Sequence, residues 1–238
     1  MAVLTRTLFG AALLAASGLC SAVTTYDATA QFDSNNNPSA LGGWSYGSSS
    51  GLGGAFTLMQ TIYVSNPSFK GWSFSQTSDY PDVIKNTSGS VYTDPQGAFI
   101  PKDALTLAPG QGLTAGKNAV VRWTAPASGP YAIDSVFTGV WDHANSFGDV
   151  HVLVNGSSIF SGSIDRQTST SFSGTRMLLV GDVVDFSLGQ SVPNEWARSI
   201  LGATISVVPE PAAFLLFLTG ICGLYAFKKP SKAARAHQ

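Results

Sequence analysis

The residues of this 238-residue chain best suited to chemistry are aromatic and sit beside polar loops. Trp44 and Tyr46 lie two apart in a Gly/Ser-rich stretch, and Trp141 precedes the polar segment running from His143 to Asp149. Rings placed in this way stack on the C–H faces of a sugar, while Asn, Asp, Arg and His side chains bind its hydroxyls. Arg122 and His151 fall in strand-like sequence at positions that put both on one polar sheet face. Trp44, Tyr46, Arg122, Trp141 and His151 are therefore the candidate ligand-binding residues. Trp72 and Trp123, inside apolar strands, are assigned to the core.

No catalytic residue emerges beside them. Gly47-Ser48-Ser49-Ser50-Gly51 matches G-x-S-x-G, but a nucleophile elbow needs a strand before the Ser and a helix after it, and Leu52-Gly53-Gly54 opens no helix. The fingerprint-like Gly110-Gln111-Gly112-Leu113-Thr114-Ala115 also leads into a strand, whereas pyrophosphate binding needs a helix N-terminus there. Asp33 begins a stretch like a calcium loop, yet Pro38 and Trp44 occupy the positions that need Gly and Glu. A structural calcium would instead gather on Asp142, Asn145 and Asp149. Zinc is disfavoured, since residues 23–208 hold two His and no Cys. Glycoside hydrolysis needs two carboxyl groups flanking the bond, and no spacing singles out such a pair.

The elements that must position these residues are strands. Ser (30 residues), Gly (25) and Thr (19) with 11% aromatics favour short strands joined by tight turns. Period-two alternation runs through 129–141, where Tyr131, Ile133, Phe137 and Trp141 share a face, and through 199–208. Val150, Val152 and Val154 alternate before Asn155-Gly156, the dipeptide suited to a type I′ hairpin. Gly181-Asp182 marks a second hairpin. Further strands are expected at 55–64, 70–75, 82–86, 104–108 and 118–125, with loops at 33–54 and 77–93. The fold class is all-β, an antiparallel β-sandwich of jelly-roll type. The sequons at Asn86 and Asn155 are compatible with surface exposure.

The two ends stand outside this body. Residues 1–22 form a signal peptide: Arg6, a short apolar run, then Cys20-Ser21-Ala22 before a cleavage point. At the other end come Pro209-Glu210-Pro211, an apolar segment at 212–227, and the basic residues Lys228, Lys229, Lys232 and Arg235. This tripartite end resembles the PEP-CTERM sorting signal of exported proteins from Gram-negative bacteria that make extracellular polysaccharide. The resemblance covers residues 209–238 and implies processing by an exosortase, which recognises Pro-Glu-Pro, after an intermediate anchored in the inner membrane. The tail departs from the usual Arg-rich block in being Lys-led and broken by Pro230.

Both cysteines, Cys20 and Cys222, fall in these ends, so the body at 23–208 has none and must be held by its hydrophobic core. Its 13 Asp and Glu against 8 Lys and Arg give a net charge of −5, which excludes nucleic acid as a partner. Three phrases of the body, Gly43-Trp44-Ser45-Tyr46-Gly47, Val120-Val121-Arg122-Trp123-Thr124-Ala125-Pro126 and Asp149-Val150-His151-Val152-Leu153-Val154-Asn155-Gly156, resemble a recurrent domain of secreted bacterial proteins. That domain is itself similar to jelly-roll carbohydrate-binding modules. The resemblance implies a non-enzymatic protein of the cell surface or exopolysaccharide matrix with a glycan partner. The alternatives are a polysaccharide hydrolase on a jelly-roll scaffold and a purely structural matrix protein.

Overall fold

The computed structural model describes residues 23–63, 66–75, 81–114, 116–142, 146–190 and 197–209. The signal peptide, Glu210-Pro211, the apolar segment, the basic tail and Asn145 lie outside them. One compact unit comprises Val23–Val207. Among the described residues no helix is long and apolar enough to cross a membrane.

The unit is an antiparallel β-sandwich without α-helix among the described residues. One sheet runs in the order β14 (Ser169–Leu178), β11 (Gly129–Gly139), β16 (Ser199–Val207), β9 (Leu105–Ala108), β6 (Asp82–Asn86), β5 (Phe69–Ser73), β4 (Thr61–Tyr63). The short β1 (Thr25–Asp27) also pairs with β16, beyond the end of β9. The second sheet runs β13 (Ser157–Asp165), β12 (Phe147–Val154), β15 (Val183–Gly189), β10 (Asn118–Thr124), β2 (Trp44–Ser49), β3 (Phe56–Leu58). A two-stranded ribbon, β7 (Tyr92–Thr93) with β8 (Phe99–Ile100), lies apart from both. From β9 onward the chain changes sheet at every connection except the β12–β13 hairpin, as a jelly roll does.

Alternation explains the packing. In β11 the side chains of Tyr131, Ile133, Ser135 and Phe137 are buried while Asp134 and Val136 face solvent. In β16 Leu201, Ala203 and Ile205 enter the same core, opposite Phe186 and Val184 of β15 and Val121 and Trp123 of β10. Each large apolar side chain so buried contributes about 1.5–3 kcal/mol, the main source of stability in a body without disulfides. Asn155 (φ 50°) and Gly156 (φ 80°) form the expected left-handed turn between β12 and β13.

Three expectations are corrected. Gly181-Asp182 does not close a hairpin: β14 and β15 belong to different sheets, and the turn carries the chain across the sandwich. The stretch 55–64 splits into β3 and β4, which also lie in different sheets. The Gly/Ser-rich 33–54 is not all loop, because β2 is an interior strand paired with β10 and β3 and buried throughout. Gly47 shows why a strand is built from such residues. A Cβ there would collide with the Phe56 ring and the Thr57 carbonyl, so only glycine lets β3 fold over β2.

Candidate functional site: an aromatic cleft

One end of the larger sheet carries a cleft lined by both aromatic and polar side chains. Tyr63 ends β4, Phe69 opens β5 and Tyr92 belongs to β7, while Trp141 follows β11 and is tied to the ribbon by an Ala98–Trp141 bridge. The aromatic walls are joined by polar groups from Asn66, Asp94 and Arg198, around a hollow of about 140 Å³. Tyr63, Asn66 and Phe69 also line an adjoining depression of about 410 Å³ that reaches Ser34, Asn35 and Lys70. That size lies within the range of about 300–1,000 Å³ typical of small-molecule sites.

The rings are fixed by packing. Phe69 and Tyr92 meet edge to face with centroids 4.9 Å apart, leaving Tyr92 half-buried. The Trp141 indole N–H points at Asp94 Oδ2 at 3.4 Å, and Asp94 Oδ1 accepts the backbone N–H groups of Gln96 and Ala98. One side chain thus shapes the 94–98 turn and orients the tryptophan. Behind the aromatic wall Arg198 reaches Asp82 through Nη1 and Nη2, both at 2.7 Å, and donates to Thr106 Oγ1 at 3.1 Å. Burial pushes the Asp82 carboxyl up from its ordinary value against the opposing pull of Arg198.

No protein-family model and no curated protein matches the chain. Among solved structures it is similar to the CBM36-1 domain of a multidomain xylanase from the hindgut metagenome of Trinervitermes trinervoides, with 11% identity over 55% of this chain and 99% of that one and a TM-score of 0.32. It is also similar to a family 35 carbohydrate binding module from Clostridium thermocellum, with 13% identity over 52% of this chain and 96% of that one and a TM-score of 0.28. A third is murine APRIL, with 12% identity over 63% of this chain and 94% of that one and a TM-score of 0.30. The chemistry of the cleft is set by its own residues.

Of the residues singled out in the sequence, only Trp141 lines this cleft. Trp44 and Tyr46 are wholly buried in the core, which corrects their reading as loop platforms. Trp44 donates its indole N–H to Gln31 Oε1, and the Tyr46 hydroxyl accepts the Asp33 N–H; burial pushes that phenol up against the opposing pull of this bond. Arg122 and His151 do stand on one face of the second sheet, two strands apart, but neither offers a free polar head. Arg122 forks Asp185 at 2.7 and 2.8 Å beneath the Phe56 ring, whose centroid is 4.1 Å away. The buried His151 has Nδ1 3.2 Å from Ser158 Oγ and Nε2 3.0 Å from Asp149 Oδ2, the latter off the axis of a hydrogen bond.

Of the expected calcium ligands, Asn145 lies outside the described residues. Asp142 is exposed and Asp149 faces His151, and among the described residues no three acidic, His or Cys side chains converge. The sequon at Asn86 is not a surface feature. Asn86 is fully buried, donating to the carbonyls of Ser90, Ile100 and Pro101 and accepting from Ser88. It braces the loop that carries Tyr92 into the cleft.

Proposed function

We propose that this chain is an exported, non-catalytic glycan-binding protein that holds a sugar chain in the cleft between Tyr63, Tyr92 and Trp141. The observation that carries the reading is the composition of that lining: the half-buried rings of Tyr63 and Tyr92 for the apolar faces of pyranoses, over the buried Trp141, with Asn66 and Asp94 beside them for hydroxyls. Among the described residues lining the hollow Asp94 is the one carboxylate, whereas glycoside hydrolysis uses two. Export by the N-terminal signal and exosortase recognition of Pro209-Glu210-Pro211 then deliver the sandwich to the cell surface or exopolysaccharide matrix.

A glycan array probed with purified residues 23–208 tests the binding; the expected result is retention on a defined set of polysaccharides, and retention on none overturns it. Substituting Glu210→Ala and following release from the inner membrane tests the sorting. Unchanged processing removes the exosortase from the account.

A further inference from the structure

The large apolar side chains left in water gather at one end of the sandwich. Met177, Val180 and Leu179 are 72%, 66% and 63% exposed, the highest values for such side chains among the described residues. All three lie where β14 passes into the turn before β15. Val23 and Leu41 follow them in exposure and lie at the same end. Val23 precedes Thr24, whose carbonyl accepts the Val207 N–H, and Leu41 belongs to a turn whose Gly43 carbonyl accepts the Thr124 N–H. A grouping of this kind on a folded body marks a contact surface.

The tip is held rigidly, and its backbone donors are occupied. Leu179 N–H reaches Asp182 Oδ2 at 2.8 Å and Val180 N–H reaches Ser128 Oγ at 3.0 Å, while the Gly181 and Asp182 N–H groups go to the carbonyls of Ala125 and Leu179. The other Asp182 oxygen accepts the Asn155 side-chain amide. Residues 177–181 carry no charge. A turn that satisfies its own N–H groups can leave water without stranding a donor, the penalty that keeps ordinary loops out of lipid.

The chain also leaves the body here. Met177 faces Pro130 and Val207 faces Tyr131, neighbouring positions of β11, so the tip stands two strands, about 10 Å, from the point of exit. Val208 and Pro209-Glu210-Pro211 separate Val207 from the apolar segment at 212–227, a reach of at most about 18 Å. We propose, on the basis of the membrane-anchored intermediate that the C-terminal signal implies, that Met177, Leu179 and Val180 dock on the lipid surface beside that anchor. Three side chains are too few to hold a free protein on a bilayer, but a short tether raises the local concentration of lipid at the tip. The tether is what selects lipid as the occupant. With an uncharged tip on a body of net −5, the contact rests on apolar burial instead of attraction to charged headgroups. β11 runs 11 residues, roughly 35 Å, from this end towards Trp141, so the docked body turns its aromatic cleft away from the membrane.

Methyl NMR of the full-length chain in phosphatidylcholine nanodiscs, with and without a lipid that carries a nitroxide on its acyl chain, tests the docking. The Met177, Leu179 and Val180 methyls should broaden at least about tenfold more than those of Val140 and Ile200 at the far end, since docked side chains sit about 5–10 Å into the headgroup and acyl boundary. In a double variant, Leu179→Glu with Val180→Glu, the Met177 broadening should fall at least about threefold, because charge is expelled from the lipid. Unchanged Val140 and Ile200 shifts report that the sandwich is intact. Tip methyls that broaden no more than Val140 in loaded discs overturn the docking and leave the anchor standing, whether solvent or a second copy covers them instead. Met177 broadening that survives both substitutions also overturns it, because the tether alone then brings the tip near. Chains that elute apart from the discs remove the anchored intermediate itself, and the docking with it.

Discussion

Arg198 and Asp82 meet fork to fork behind the aromatic cleft, with both nitrogen–oxygen contacts at 2.7 Å and both side chains largely withdrawn from water. A planar guanidinium and a planar carboxylate fix each other in two directions at once. The pair therefore sets the distance between the N-terminal end of β16 and β6, and with it the back wall of the cleft.

Removing one partner leaves the other charged and buried, so Asp82→Asn should lower stability by about 3–5 kcal/mol. The double substitution Asp82→Leu with Arg198→Met should recover most of that loss, because desolvation of both charges is relieved together. Urea unfolding of the wild type and the two variants reads the difference. Equal losses in the single and double variants would remove the pair from its place as a latch.

Two aromatic substitutions should separate cleft from core. Trp44→Ala empties a fully buried site and should cost about 3–5 kcal/mol. Tyr92→Ala trims a half-buried ring on a two-residue strand and should cost far less stability while abolishing retention on the glycan that the array identifies. Thermal unfolding alongside affinity electrophoresis makes the comparison.

The wall of the larger depression should loosen in acid. Asp33 accepts the Asn36 side-chain amide and the backbone N–H groups of Asn35 and Asn36, which lowers its pKa. A carboxyl whose folded pKa is depressed adds stability above its unfolded value, and that contribution disappears as pH falls through the folded value. Asn35 lines the depression, so glycan retention should be level above about pH 4 and decline below it. Amide NMR of Asn35 and Asn36 across the same range should show the loop releasing together with the lost retention. An Asp33→Asn variant should lose this acid step.

The sequence makes β11 and β16 legible because each presents one face to the core and one to water, and period-two alternation reports that difference directly. It cannot reveal β2, whose two faces are both buried and whose Gly47 answers to a ring from the next strand. Trp44 and Tyr46 read as loop residues because Gly, Ser and Asn surround them; the structure makes them part of this strand and buries both. The cleft is harder still. Tyr63, Asn66, Tyr92, Asp94, Trp141 and Arg198 come from distant segments, and only the pairing of β4, β5, β6 and β9 brings most of them near. The one local signal is Trp141, set before the polar segment that follows it, while Asn86, which braces the Tyr92 loop, reads as an ordinary sequon.

β16 joins both ends of the body. Thr25–Asp27 pairs with its last residues on one side while β11 runs along the other, and the chain leaves at Val208. Antiparallel hydrogen bonds lie perpendicular to the strands, so a pull along that exit loads the rungs of both ladders together instead of peeling them one by one. A protein tugged by its C-terminal attachment would thus resist in shear, the geometry in which a β-ladder bears the greatest force before it yields.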